Sequence, residues 1–285
     1  MSKKSRRERE ERERRREKRF DLKTIWAILS IILIVGLIGS TIFLVKEIQQ
    51  LKEPSLEELE GLQESVVSLG LQLEFPETKE MKRKIGSGSV VEIDNQKYIL
   101  SLYHILDAWG DKKITMDFLE KHLQVVFLSG EGKGRGLEWR ANPKADMAVY
   151  KLPKDLNYPA IPIGDSDRLK VGQEIFQISF PEGEGIIVRG GKTLSLEAAP
   201  HTLSYFSQEG RTDLGANDAI RISFVGLKGE SGGAILAFQD GKLKLIGIHG
   251  GHVTHKFDNI SIPVYSWGYK INPILSYSQE LIKRF

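Results

Sequence analysis

Three short segments of the chain contain the residue types that acyl-transfer chemistry requires. Ser231 lies in the glycine-rich run GESGG, His104 follows the apolar run YILSLY, and Asp146 precedes the apolar run MAVYKL. A serine hydroxyl is a weak nucleophile that needs an adjacent base, and the base needs an orienting group. Glycines allow the tight turns that direct backbone amides to one point, where they stabilise an oxyanion. Together the segments predict a nucleophilic serine site.

Each of the three residues also has a purely structural explanation. Glycine-rich segments are common in turns, a histidine beside an apolar strand is often a hydrogen-bonded core residue, and an aspartate before a strand often caps a turn. Their order along the chain favours chemistry. His, Asp and Ser follow one another as in the chymotrypsin type of triad, and not as in subtilisin or the α/β-hydrolases.

The elements that must position these residues are short β-strands. Leu69, Leu71 and Leu73 alternate with smaller or polar residues, which is the period of a half-buried strand. Similar runs recur as far as LKLIGIH, separated by Gly, Pro, Asn and Asp. The main helical pattern is near the C-terminus, at PILSYSQELIKRF. The sequence therefore predicts an all-β domain over residues 62–285, with the three candidate residues at strand edges.

Composition excludes some classes of function. The 285 residues include no cysteine, so disulfides, thiolate metal sites and a cysteine nucleophile are excluded. The net charge of +3 conceals a basic tail, because residues 1–23 carry 12 Lys and Arg against 6 Asp and Glu. The interleaved acids weaken the field that nucleic acid would feel, so no nucleic-acid partner is expected. A tail that binds nucleic acid or anionic lipid is the alternative.

Residues 24–45 form an uncharged run of 22 residues between Lys23 and Lys46. As a helix this run is about 33 Å long, enough to cross a bilayer. A buried core helix would keep a polar stripe, and a signal peptide would be shorter and end in a small-residue cleavage site. We therefore expect a single transmembrane helix in contact with the lipid bilayer. Residues 46–80 hold 3 Lys against 9 Glu, so the basic tail is expected in the cytoplasm and the domain outside, in a periplasm or at a cell surface.

The predicted juxtamembrane linker covers residues 46–61. Leucines recur at helical spacing on both sides of Pro54, at Leu51, Leu56 and Leu59. Two broken turns are few for a coiled coil, which favours a short amphipathic connector. The alternative is a stalk that self-associates into a homo-oligomer.

The globular part resembles the trypsin-like domain of the HtrA (Do-like) proteases. Five segments match that family in order: ESVVSL, GSGSVVEIDNQKYILSLYHIL, ADMAVYKL, IGDSDRLKVGQEIFQISFP and KGESGGAIL. The resemblance implies a chymotrypsin-like fold of two six-stranded antiparallel β-barrels. It also implies a membrane-anchored serine endopeptidase that hydrolyses extracytoplasmic polypeptides through an acyl-enzyme, with no cofactor.

The resemblance assigns roles to individual residues. Ser231 is expected to be the nucleophile, His104 the general base and acid, and Asp146 the orienting group. The amides of Gly229 and Ser231 are expected to form the oxyanion hole. The chain departs from the family at Glu230, where Asn or Asp is usual and whose partner the sequence does not identify. No PDZ domain is expected after the barrel, and a catalytically silent binding module on the same fold is the alternative function.

The segment LIGIHGGHV predicts substrate preference. Its His249 and Gly250 are similar to the GIH stretch of glutamyl endopeptidases, where the histidine contacts an acidic substrate side chain. The resemblance implies a preference for Glu or Gln on the acyl side of the scissile bond, and Val225 offers no carboxylate for Lys or Arg. The alternative is that His249 packs within its strand.

No metal site is expected, because residues three apart on a strand, such as His249 and His252 or His252 and His255, face opposite sides. The segment Ser266–Gly268 is expected in the last barrel strand.

Overall fold

The computed structural model describes residues 3–50, 54–107, 109, 114–182, 185–257 and 260–285. The chain divides into two units, Met1–Lys52 and Glu53–Phe285. The described part of the first unit is one helix, α1 (Lys3–Gln50). Its segment Thr24–Val45 has a mean hydropathy of 2.8 and is long and apolar enough to cross a membrane. Residues 1, 2 and 51–53 of the predicted tail and linker lie outside the described residues.

The described part of the second unit contains strands with short helices between them. The helices are α2 (Leu56–Gln63), α3 (His104–Asp107), α4 (Met116–His122), α5 (Pro200–Gln208) and α6 (Ile271–Ile282). The strands are β1 (Val66–Phe75), β2 (Glu80–Ile93), β3 (Gln96–Leu102), β4 (Leu123–Phe127), β5 (Trp139–Asn142), β6 (Met147–Lys151), β7 (Glu174–Ser179), β8 (Ile187–Ser195), β9 (Ala219–Ile222), β10 (Ala234–Gln239), β11 (Lys242–Phe257) and β12 (Ile260–Lys270).

The strands form two antiparallel halves. The first half is a six-stranded sheet in the order β4-β1-β2-β3-β6-β5, and the second is a closed barrel in the order β10-β11-β12-β9-β8-β7. In the first half the segment after β4 folds back onto it, with the Leu137 amide donating to the Val125 carbonyl at 2.8 Å. The prediction of an all-β fold with two six-stranded halves is confirmed, the first half being a half-barrel and the second a closed one.

The two halves share one hydrophobic core. That core joins Leu100 and Val149 of the sheet with Leu236 and Ile248 of the barrel and with Ile274 of α6. Each half also has a smaller core of its own. The shared core fixes the orientation of the halves, because interlocking side chains in a close-packed interior allow little sliding.

Two helices complete the globular unit. The predicted C-terminal helix is confirmed as α6, and the segment after it reaches the first half, where the rings of Phe285 and Tyr98 lie 5.9 Å apart. Helix α5 was not predicted. It begins with Pro200 at its first turn and buries only Thr202 and Phe206, which gives too short an apolar pattern to recognise.

Candidate active site

His104 and Asp146 come from adjacent strands of the first half. Strands β3 and β6 pair with Leu102 opposite Met147, and the Tyr103 amide continues this pairing by donating to the Asp146 carbonyl at 3.0 Å. His104, the next residue and the first of α3, is thereby brought beside Asp146. Asp146 has a left-handed backbone conformation with φ 51°. The turn before it is held by the Asn142 side chain, whose Oδ1 accepts from the amide of Lys144 at 3.0 Å.

The three candidate residues form one hydrogen-bonded chain. Nδ1 of His104 lies 2.8 Å from Oδ2 of Asp146, and Nε2 of His104 lies 2.9 Å from Oγ of Ser231. The backbone amide of His104 also donates to Oδ1 of Asp146 at 2.8 Å. A carboxylate can only accept, so the proton of neutral His104 is held on Nδ1 and Nε2 is left to accept from the serine hydroxyl.

Asp146 is fully buried, with 0% exposure. The hydroxyl of Tyr269 donates to its Oδ2 at 2.6 Å, and Nε of Arg211 lies 3.7 Å from its Oδ1. Burial acts to raise the pKa of Asp146, but the attraction of His104 and Arg211 and the hydrogen bonds outweigh it and hold the pKa below its usual value. The carboxyl group is therefore ionised at neutral pH, as an orienting group for an imidazole requires.

Ser231 comes from the second half, and its loop fits against β2 of the first half. The Ser87 amide donates to the Ser231 carbonyl at 2.9 Å, and the Ser87 hydroxyl donates to the Gly229 carbonyl at 2.9 Å. The Ser89 hydroxyl donates to the Gly232 carbonyl at 3.1 Å. Gly232 has φ +91°, and a Cβ there would lie 1.9 Å from the Ser87 carbonyl oxygen. Only glycine fits at this contact.

The amides of Gly229 and Ser231 are left free by the loop. The Lys228 carbonyl accepts from the Glu182 amide at 2.8 Å, and the Glu230 carbonyl accepts from the Gly233 amide at 2.9 Å. In a trans peptide the N–H and C=O point in opposite directions, so the next amide in each case faces away from those contacts. Within the described residues neither amide donates a hydrogen bond. Both residues line a cleft of about 750 Å³.

Two buried side chains meet at Gly226: that of His249, which lines the cleft, and that of Ser266, which is not among the described residues that line it. A Cβ at Gly226 would lie 2.8 Å from Nε2 of His249 and 3.1 Å from Oγ of Ser266. Both ring nitrogens of His249 and the Ser266 hydroxyl lack a hydrogen-bond partner in the described part of the chain. Buried polar atoms normally have partners, so a polar group from a ligand would satisfy this cluster.

The remaining predicted pocket residues differ in their positions. His249 and Gly250 line the cleft, whereas Val225 is not among the described residues that do so. The Val225 carbonyl instead accepts from Nη1 of Arg189 at 2.5 Å. Gly250 packs against the Trp267 ring, which a Cβ would meet at 2.0 Å. Burial, followed by repulsion from Arg189, lowers the pKa of His249 to about 3, so its imidazole is neutral.

Comparison with known proteins decides the family. The model of the trypsin-like peptidase domain matches residues 86–248. The chain belongs to the trypsin-like peptidase family. A probable periplasmic serine endoprotease, DegP-like, of Buchnera aphidicola subsp. Baizongia pistaciae is 28% identical over 199 residues, which cover 68% of this chain and 37% of that relative. A relative of the same description from Chlamydia pneumoniae is 34% identical over 112 residues, 39% of this chain and 20% of its own length.

A solved structure shares the fold of this trypsin-like peptidase. The HtrA-type protease AlgW with tripeptide gives a TM-score of 0.58 at 21% identity, covering 81% of this chain and 64% of that chain. The resemblance to HtrA proteases is thus confirmed, and the peptidase chain spans less than two thirds of the length of these relatives. The similarity to glutamyl endopeptidases stays a prediction.

Several residues of the candidate site had not been predicted. They are Tyr269 and Arg211 beside Asp146, Gly226 and Ser266 beside His249, and Arg189 beside Glu230. Ser266 lies in β12, the last barrel strand, as expected for that segment. The one local signal for Arg189 is a charge inside an apolar strand, in IIVRGG, which calls for a buried partner. The side chain of His255, part of the rejected zinc interpretation, lies outside the described residues.

Proposed function

We propose that this protein is a serine endopeptidase that uses Ser231, His104 and Asp146. The observation that carries the proposal is the continuous chain of contacts from Ser231 Oγ through the imidazole to Asp146, at 2.9 and 2.8 Å. Ser231 attacks the peptide carbonyl while Nε2 of His104 takes the hydroxyl proton. His104 then donates that proton to the leaving amine, which breaks the C–N bond and leaves an acyl-enzyme. Water, activated by the same imidazole, hydrolyses the ester.

The amides of Gly229 and Ser231 are proposed to stabilise the oxyanion that forms during attack. They support this role because both are free of other partners and face away from the bonded carbonyls of their peptide groups. Donors that are fixed before the reaction stabilise the charge without reorganising, and one such donor contributes about 10²–10³-fold to kcat.

A fluorophosphonate probe tests the chemistry on the full chain in detergent micelles. The probe is expected to label the unaltered protein and the Ser207→Ala control, which changes an exposed serine of α5. Ser231→Ala is expected to abolish labelling. A folded, unaltered protein that does not label would refute the proposal and favour the catalytically silent binding module.

The cleft is proposed to accept Glu or Gln on the acyl side of the scissile bond. His249 and Ser266 present unpartnered polar atoms at the bare face of Gly226, which suits a carboxyl or carboxamide. The described cleft is lined by three basic side chains and one acidic one, Arg83, Lys84, Lys228 and Glu182. Acidic substrates suit this net positive surface.

A peptide library digested with the full-length protein tests this preference. Cleavage after Glu or Gln is expected to predominate, and His249→Leu is expected to remove the preference while the exposed His252→Leu retains it. Preferential cleavage after Lys or large aromatic residues would refute the assignment.

We also propose that residues 24–45 anchor the protein in a membrane, with the tail of residues 1–23 in the cytoplasm. Residues 46–61 would then connect the anchor to an extracytoplasmic peptidase domain, residues 62–285. Because the chain has no cysteine, single cysteines at Ser5 and Thr78 report sidedness without background. A membrane-impermeant maleimide on cells with a permeable outer layer is expected to label only Thr78→Cys. Labelling of Ser5→Cys alone would refute the orientation.

A further inference from the structure

The residue between the two proposed oxyanion amides has a fully buried carboxyl group. Glu230 has 0% exposure and lies between Gly229 and Ser231. Its Oε2 accepts from the Leu227 amide at 2.6 Å, and its Oε1 accepts from the Ser179 hydroxyl at 3.1 Å. A buried carboxylate requires both hydrogen bonds and a cation, since burial strongly disfavours an isolated charge.

Arg189 supplies the cation from another part of the barrel. It lies on β8, 41 residues away in sequence, and its Nη2 donates to Oε1 of Glu230. Its Nη1 donates to the Val225 carbonyl at 2.5 Å, and its guanidinium lies 5.6 Å from the centre of the Phe224 ring. One guanidinium therefore contacts both the nucleophile loop and the segment that leads into it.

These contacts hold the loop from the inside. The Glu230 side chain bonds back to the Leu227 amide three residues earlier, which closes residues 227–230 into a ring. The Lys228 carbonyl is held on the outside by the Glu182 amide. The peptide group between Lys228 and Gly229 is therefore fixed from both sides. The backbone also closes this ring, because the Glu230 amide donates to the Leu227 carbonyl, but that contact is longer, at 3.4 Å. Loss of the carboxylate bond is expected to loosen the loop and to let this peptide rotate its carbonyl towards the cleft, where it repels an oxyanion.

We propose that Arg189 and Glu230 are a positioning pair that keeps the Gly229 and Ser231 amides in the orientation needed for oxyanion binding. The inference rests on the proposed serine peptidase function. The Glu230 side chain is 0% exposed and that of Arg189 is 23% exposed. An ion pair with a buried carboxylate is a poor source of stability compared with apolar side chains of similar size, so its effect is expected in geometry more than in folding. Neither residue is among the described residues that line the cleft, so both would act through the loop.

The test measures labelling of Ser231 by a fluorophosphonate at several probe concentrations, on the full chain in detergent micelles. Glu230→Gln and Arg189→Gln are each expected to lower the maximal labelling rate by about 100-fold, the effect of losing an oxyanion donor, while the half-saturating concentration stays within about twofold. The double variant is expected to be no slower than the slower single variant, because residues that act as a unit are not additive.

Two further variants separate positioning from general destabilisation. Arg168→Gln breaks an exposed ion pair with Asp240 in the same half and is expected to label at the unaltered rate. Arg189→Lys keeps the charge and is expected to label at least tenfold faster than Arg189→Gln. The double variant buries no unpaired charge, so it is the folded reference if the single variants unfold.

The outcomes distinguish the two proposals. Labelling of folded Glu230→Gln, or of the double variant, at the unaltered rate would overturn the positioning pair and leave the peptidase proposal intact. The same holds if the two single effects multiply in the double variant. A folded, unaltered chain that does not label would overturn both proposals.

Discussion

Replacing His249 by glutamine is expected to reduce the loss of stability that the protein undergoes in acid. His249 is 1% exposed, and burial together with Arg189 lowers its pKa from 6.5 to about 3. Below pH 6.5 the unfolded chain binds a proton at this residue and the folded chain does not. The free energy of unfolding therefore falls as the pH decreases from 6.5 towards 3, by about 1.4 kcal/mol per pH unit at most.

The size of this effect on stability follows from the pH range in which only the unfolded chain is protonated at His249. Between pH 6.5 and 4.5 one such histidine removes about 2 kcal/mol of stability, and His249→Gln is expected to recover that difference. Urea unfolding of the full chain in nonionic detergent, followed by tryptophan fluorescence, measures the free energy at each pH. The control is His252→Gln on the same strand, where the side chain is exposed. This variant is expected to keep the steep fall in the free energy of unfolding below pH 6.5. If the free energy of unfolding depends on pH in the same way in His249→Gln and in the unaltered protein, a neutral, buried His249 is refuted.

Three further predictions follow from contacts around the site. Tyr269→Phe removes the 2.6 Å hydrogen bond to Asp146 and is expected to lower kcat by roughly tenfold with KM unchanged, in steady-state assays on a cleaved peptide. Gly226→Ala places a methyl group 2.8 Å from Nε2 of His249 and is expected to lower kcat/KM for Glu-containing peptides at least about tenfold, while fluorophosphonate labelling continues. Gly232→Ala, at φ +91° and with its Cβ 1.9 Å from a β2 carbonyl, is expected to cost at least about 3 kcal/mol in urea unfolding. An unchanged kcat, unchanged peptide kinetics or an unchanged midpoint would contradict the respective prediction.

The sequence predicted the parts of the site that have local signals. His104 and Asp146 stand beside apolar runs and Ser231 stands among glycines, so each can be recognised within a few residues. Their order then favoured a chymotrypsin type of triad, and the structure brings them within hydrogen-bond distance. The strands of the barrel were recognisable for the same reason, since alternation is a local property.

The partners of these residues could not be predicted in the same way. Arg189 meets Glu230 across 41 positions, and Tyr269 meets Asp146 across 123. Such contacts depend on strand register and on how the halves dock, neither of which a single segment specifies. Glu230 stood out as a departure from the family, but the sequence did not identify its partner.

The shared core between the halves makes the meeting of His104, Asp146 and Ser231 depend on the order in which the chain is made. His104 and Asp146 belong to the half that is synthesised first, and Ser231 to the half that follows. A partly synthesised chain therefore carries a base without a nucleophile. The contacts of α6 and Phe285 with the first half come later still. Under the proposed function, folding therefore sets the time at which activity can begin, because the three residues meet only after both halves have been made and have docked.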